Sequence, residues 1–350
     1  MTDESFLDNA IARVRKSVEE RLIRFFDDIG KKPGAPIFET CLEGPILEQV
    51  RELTMRGGKR LRAGLLVYGA ALFEPGWPPK PAVLDAAAAI ELLHTYFLIH
   101  DDIMDHDDVR RGGPAVHAAL ASVFGDREKG KDFAILAGDL AASMYGVLIG
   151  ELKLADDRFR RVSRVLAAMH LDVVHGQTLD MLAMSSPYDI AHHKTASYTT
   201  MGPLAAGAAL GGASDDQVQH LALIARPLGV AFQFRDDLLG TFGHSEETGK
   251  SVKSDLSEGK RTILLDKALT LASPEEREAI EAVLENRNTT SEAIEAARKA
   301  LEQCGAREAC QEQIELLVEE FVTSLDDPVF DPEARAVLVG LARFVALRNI

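Results

Sequence analysis

Two clusters of aspartates are the residues best placed to do chemistry. The first lies in ELLHTYFLIHDDIMDHDDVRRGGPAVH, residues 91–117, where Asp101, Asp102, Asp105, Asp107 and Asp108 fall within eight positions. They end an apolar stretch of helical period, and a carboxylate at a helix C-terminus opposes the negative pole of its dipole. Asp101 and Asp105 are four apart, so they share a helix face and repel each other. Such a pair calls for cations. It suits Mg2+, which takes one or two carboxylates and fills its shell with water and phosphate oxygens. An EF-hand loop is excluded, because Asp105-x-Asp107 lacks the required Gly and Glu downstream. Standing alone, the cluster also fits a solvated acidic helix end. Arg110, Arg111 and a Gly-Gly-Pro turn follow directly, and two guanidiniums beside carboxylates fit diphosphate recognition better than surface decoration.

The second cluster lies in GVAFQFRDDLLGTFGHSEETGKSVKSDLSEGKRT, residues 229–262, where an apolar helix delivers Asp236 and Asp237 near its C-terminal end. Lys250 and Lys260 follow. Paired carboxylates on two central helices, facing across a bundle cavity, would hold cations that neutralise a diphosphate and activate it as a leaving group. Further positive charge sits in Gly57-Gly58-Lys59-Arg60-Leu61-Arg62, which lacks the spacing of a nucleotide P-loop. Taken alone it also reads as a helix start with solvated basic residues. Lys194-Thr195 lies in HHKTASYTTMGP and is unremarkable by itself. His192 and His193 are adjacent and are not read as metal ligands.

The elements that must position these groups are helices. Strand signals are almost absent, and helical periodicity covers 5–28, 45–56, 60–73, 81–105, 114–124, 131–150, 158–183, 189–212, 215–239 and 261–271. Ser273-Pro274-Glu275-Glu276 and Asp331-Pro332-Glu333 each open a further helix. Helices 81–105 and 215–239 are about 25 residues long, or ~37 Å, and apolar on more than one face, as buried central helices are. No Ser-, Gly- or Pro-rich linker divides the chain. The expectation is one all-α domain over residues 1–350, a bundle of long antiparallel helices around a central cavity.

Composition bounds the partners. The 350 residues carry a net charge of −16, which argues against nucleic acid. With 46% hydrophobic and 27% charged residues the chain reads as a soluble globular protein. Its three cysteines, Cys41, Cys304 and Cys310, form no CxxC spacing and fit a reducing cytoplasm. The N-terminus is no signal peptide. No uninterrupted apolar run reaches the length of a membrane span; the best, Ala86 to Ile99, is broken by Glu91 and His94.

From Gly57 to Thr262 the motifs stand in one order: GGKRLR, ELLHxxxLIHDDxxD, RRG, GQxxD at 176–180, KT, FQxxDD, TGK and GK. This ordered set resembles the trans-prenyl diphosphate synthase family, which includes farnesyl and geranylgeranyl diphosphate synthases. The resemblance implies condensation of isopentenyl diphosphate with an allylic diphosphate. It implies three Mg2+ ions per site, with Mn2+ as a substitute, and a homodimer. Asp101 and Asp105 would ligate two ions and Asp236 the third, with Asp102 and Asp237 as secondary or orienting ligands. Arg110, Lys194, Lys250 and Lys260 would grip the allylic diphosphate. Lys59, Arg62, His94 and Arg111 would bind isopentenyl diphosphate. Gln177, Asp180, Thr195 and Gln233 match positions lining the allylic site, the last two near the proton-loss step. Gly240 departs from the pattern, standing where many members carry a third Asp.

Product length can be read from helix geometry. Phe97 lies four residues before Asp101, ~6 Å lower on the same face, and Tyr96 five residues before it, ~7.5 Å lower. Two bulky rings there would floor a short tail. Family members with aromatics at these positions make short products, so farnesyl diphosphate (C15) is expected, with geranyl diphosphate (C10) as the shorter alternative. A floor deeper, near Leu92 or Leu93, would instead give geranylgeranyl diphosphate (C20). A class I terpene cyclase shares the DDxxD motif but has no need for GGKRLR with His94. A non-catalytic partner subunit would have lost a metal motif, and both are present.

Overall fold

The computed structural model describes residues 3–29, 44–182, 185–243, 256, 262–284 and 290–347. The fold is all-α. Helix α1 spans Asp3–Asp28, α2 Pro45–Met55, α3 Leu61–Ala71 and α4 Pro81–Met104. A two-residue-per-strand hairpin follows, β1 (Val109–Arg110) against β2 (Gly113–Pro114), the only sheet among the described residues. Then come α5 (Val116–Phe124), α6 (Arg127–Gly150), α7 (Asp156–Leu182), α8 (Pro187–Ile190), a π-helix over Ala191–Met201, α9 (Gly202–Leu210) and α10 (Asp215–Phe242). The C-terminal part is α11 (Ile263–Leu271), α12 (Pro274–Leu284), α13 (Ser291–Gln303), α14 (Ala306–Ser324) and α15 (Pro332–Leu347).

The two long central helices form for identifiable reasons. Helix α4 opens with Pro81 in its first turn, where the missing N–H is not needed. It then buries Ala86–Leu93 continuously, because α3 and α6 both pack on it. Helix α10 opens with a capping box, Ser214 accepting from the Gln217 N–H and the Gln217 side chain accepting from the Ser214 N–H. It packs on α14 and on the π-helix. Each delivers its aspartates to its C-terminal end, as the sequence predicts.

The periodicity predicts one helix over 189–212; the structure splits it into α8, the π-helix and α9. Ser197 Oγ donates to the His193 carbonyl at 2.6 Å and Thr200 Oγ1 to the Ala196 carbonyl at 3.1 Å, so hydroxyls compete for the i−4 acceptors of the ladder. Thr195, Thr199 and Thr200 add β-branched crowding against the preceding turn. Such π segments are rare and cluster at functional sites.

The π-helix lies between α7 and α10, and two glycines allow that closeness. A Cβ at Gly176 on α7 would sit 2.1 Å from the Lys194 backbone nitrogen, and one at Gly229 on α10 2.4 Å from the Ala196 Cα. Neither space admits even a methyl group. The glycine of the GQxxD motif therefore serves to seat α7 beside Lys194.

Candidate functional site

The π-helix connects the two acidic helix ends through adjacent residues. Lys194 Nζ lies 2.6 Å from Asp180 Oδ2 on α7 and 3.3 Å from Asp101 Oδ1 on α4. Thr195 Oγ1 donates to Gln233 Oε1 on α10, and Gln233 Nε2 donates to Asp237 Oδ1 at 2.7 Å. Asp101 and the Asp236–Asp237 turn are thus tied to one stretch of backbone.

At the end of α4, Asp101 is half-buried and Asp102 fully buried. Asp102 Oδ1 accepts from Arg110 Nε at 2.6 Å and also from Nη2. Asp107 lies 3.4 Å and Asp101 3.9 Å from the same guanidinium. Burial works against the charge of Arg110, but Asp102, Asp101 and Asp107 outweigh it and leave its pKa above the usual value. Asp108 does different work: it accepts from Arg127 and lies 3.1 Å from His117 Nε2, tying the hairpin to α5 and α6.

Asp101, Asp102, Asp105, Asp107 and Asp180 gather five carboxylates at this end of the bundle, around Arg110 and Lys194. Like charges a few ångströms apart at a partly buried site repel by several kcal/mol, about 4 at 4 Å in an effective dielectric of 20. Bound cations would relieve that cost. The all-oxygen donor set suits Mg2+. Among the described residues no three His, Cys, Asp or Glu side chains form a ready-made cage.

A second, basic cluster lies about two turns deeper along α4. His94 on α4 is buried. Arg111 Nη2 lies 3.1 Å and Arg62 Nη1 3.4 Å from its Nε2, so two cationic donors fix Nε2 as the acceptor and put the proton on Nδ1. Burial, then Arg62 and Arg111, hold the His94 pKa well below the usual imidazole value, so it is neutral at physiological pH. Burial first, with Arg60, Arg62 and Arg110 nearby, pulls Arg111 down to about 10, against the opposing pull of Glu91. Among the described residues neither Arg62 nor Arg111 pairs with a carboxylate. Arg62 instead donates to Thr199 Oγ1 at 2.8 Å and lies 4.2 Å from the centre of the Tyr198 ring. Two converging, partly desolvated guanidiniums with no counter-ion among the described residues have the arrangement that suits an anion. Lys59 is exposed, its Nζ 3.9 Å from the centre of the Phe344 ring.

Below Asp101 lies an aromatic layer. Tyr96 and Phe97 rings are 4.9 Å apart. Both reach His170 on α7, at 5.5 and 5.4 Å, and Phe97 also meets Tyr198 of the π-helix at 5.2 Å. Gln177 lies nearer the mouth, its amide 3.8 Å from the Met104 sulfur. Lys250 and Lys260 lie outside the described residues. Sequence reasoning passed over Tyr198, Thr199 and His170. The first two stand four and five places beyond Lys194, a spacing that matters only once the helix is known to be of the wide π type. His170 stands two helical turns before Gln177 and carried that signal unread.

The geometry therefore defines an α-helical site with two acidic helix ends, a basic anion pocket and an apolar layer beneath. Residues 44–301 match the polyprenyl synthetase family. A geranylgeranyl diphosphate synthase of Saccharolobus solfataricus is 33% identical over 306 residues, covering 84% of this chain and 87% of that one. A short chain isoprenyl diphosphate synthase of Methanocaldococcus jannaschii is 33% identical over 257 residues, covering 72% and 74%. Among solved structures, geranylgeranyl pyrophosphate synthase from Corynebacterium glutamicum, complexed with isoprenyl diphosphate and magnesium, superimposes with a TM-score of 0.86 at 33% identity, covering 96% of this chain and 99% of that one. The chain belongs to the polyprenyl synthetase family and is a trans-prenyl diphosphate synthase.

Proposed function

We propose that the chain condenses isopentenyl diphosphate head-to-tail with dimethylallyl or geranyl diphosphate, ending at farnesyl diphosphate. The observation that carries this reading is the pairing of Lys194 with Asp101 and of Thr195, through Gln233, with Asp237. It brings both acidic motifs to one place, beside an anion pocket they do not occupy. Asp101, Asp105 and Asp236 would hold Mg2+, with Asp102 and Asp237 orienting Arg110 and Gln233. Mg2+ held there would neutralise the allylic diphosphate and make it a leaving group; the similar Corynebacterium glutamicum enzyme was solved with isoprenyl diphosphate and magnesium.

The chain's own residues do the rest. Arg110 and Lys194 hold the allylic diphosphate, joined in this proposal by Lys250 and Lys260. Arg62, Arg111, His94 and Lys59 hold isopentenyl diphosphate so that its alkene faces the allylic C1. The C1–oxygen bond breaks, with the electron pair leaving on pyrophosphate. The alkene then bonds to C1, and one proton is lost to restore a double bond, with pyrophosphate as its acceptor near Thr195 and Gln233. Positioning, charge stabilisation and exclusion of water supply the acceleration.

The aromatic layer one turn below Asp101 supports C15. The geranylgeranyl name of the Saccharolobus relative supports a second reading, C20. Incubating the protein with isopentenyl diphosphate, Mg2+ and each of dimethylallyl, geranyl and farnesyl diphosphate tests both. Elongation stopping at C15, with farnesyl diphosphate a poor primer, supports the first; conversion of farnesyl to geranylgeranyl diphosphate supports the second. Hydrocarbon release without isopentenyl diphosphate would mark a cyclase instead.

Homodimerisation through α5 and α6 belongs to the same proposal. Both α4 and α6 are long and apolar enough to cross a membrane by length and composition. In α4 most of that apolar window is buried within the chain, whereas two thirds of the α6 window is not. Val123, Ile135 and Leu136 stand 57%, 46% and 52% exposed. An apolar surface of this kind marks an interface. Sedimentation is expected to give a dimer for the wild type and a monomer for Leu136→Glu; a wild-type monomer would contradict the proposal.

A further inference from the structure

Resting on the assignment of Arg111 to isopentenyl diphosphate, we infer that Arg56 is a positioning residue that holds Arg111 in its binding conformation. Arg111 is one of three non-glycine residues among those described with positive φ, at 52°. An L-residue in this left-handed region is held there by its surroundings. The surroundings are supplied by Arg56, at the end of α2. Its Nη1 donates to the Arg110 carbonyl at 3.0 Å and to the Pro114 carbonyl at 2.8 Å, bracketing the turn that contains Arg111. Its Nη2 donates to Glu52 Oε1 at 2.7 Å, which fixes the guanidinium from behind.

The clasp is reciprocal. Arg111 Nη1 reaches back to the Gly57 carbonyl at 3.4 Å, the residue next to Arg56. The loop that carries Lys59 and leads into Arg62 on α3, and the hairpin that carries Arg110 and Arg111, are thus locked together by one arginine from each. Gly113 completes the fit: a Cβ there would stand 2.7 Å from Arg56 Nη1, so any side chain evicts the guanidinium. Arg110 has a charged second anchor in Asp102, whereas Arg111 has only the neutral ring of His94. Loosening the clasp therefore falls on the isopentenyl diphosphate side.

Arg56→Ala and Gly113→Ala test this by removing the guanidinium and by displacing it. Each is expected to raise KM for isopentenyl diphosphate about tenfold, the scale of one lost charge-assisted contact. KM for the allylic primer and kcat should stay within about twofold. The double variant should be no worse than either single, because both break one interaction, and Arg56→Lys should restore part of the loss. Unchanged KM for isopentenyl diphosphate, an equal rise for both substrates, or additive effects in the double variant would overturn the inference. Wild-type elongation measured alongside separates this outcome from failure of the assigned activity, and Gly113→Ala keeps the test open should Arg56→Ala fold poorly.

Discussion

Asp101→Ala is expected to lower kcat by about 10³-fold or more, the scale of removing a group that stabilises a departing charge. The fold should persist. Asp101 sits half-exposed at the end of α4 among like-charged neighbours, and its removal relieves repulsion while leaving Lys194 paired with Asp180. In Mg2+-free buffer the Tm of the variant should therefore equal or exceed that of the wild type. Addition of Mg2+ with an allylic diphosphate should raise the wild-type Tm and leave that of the variant nearly unchanged. Asp108→Ala is the control. Asp108 is spent on Arg127 and His117, which hold its carboxyl below the usual range despite the opposing cost of burial. Its loss should cost stability rather than turnover. Equal kcat losses in the two variants would remove the distinction drawn between the aspartates.

Phe97→Ala is expected to lengthen the product by one or more C5 units, with Tyr96→Ala acting in the same direction. The ring of Phe97 closes the space between α4, His170 on α7 and Tyr198 on the π-helix. Deleting it would free space toward the buried Leu93, one further turn and about 6 Å below. Tyr96 supports the layer by packing on Phe97, His100 and His170, so the double variant should lengthen the product further than either single one. Product analysis by chain length reads this directly. Unchanged length in both single variants would place the floor deeper, at Leu92 or Leu93, and would favour the C20 reading.

The sequence alone made the helical architecture and both acidic motifs legible, for physical reasons. Aspartates at the ends of long apolar helices strain both the dipole rule and the burial rule, and a cation site would reconcile the two. The order of the basic motifs did the rest. What stayed hidden was set by tertiary contacts. The π-helix has the periodicity of an ordinary helix, and the seat made for it by Gly176 and Gly229 involves residues 53 places apart in sequence. Arg56 looks like a solvated helix end until the hairpin carbonyls are seen beside it. His170 reads as one more polar residue on an amphipathic helix. Helices α13 and α14 were also passed over, since their burial against α12, α10 and each other is not a local property.

The central claim is that the ends of α4 and α10 hold one diphosphate between them. A crystal structure with Mg2+ and an unreactive allylic thiodiphosphate tests it most directly. The account expects cations ligated by Asp101 and Asp105 on one side and Asp236 on the other, bridged by diphosphate oxygens, with the hydrocarbon tail pointing at Phe97. A diphosphate bound with its cations away from either acidic end, or a tail running out to solvent, would contradict it.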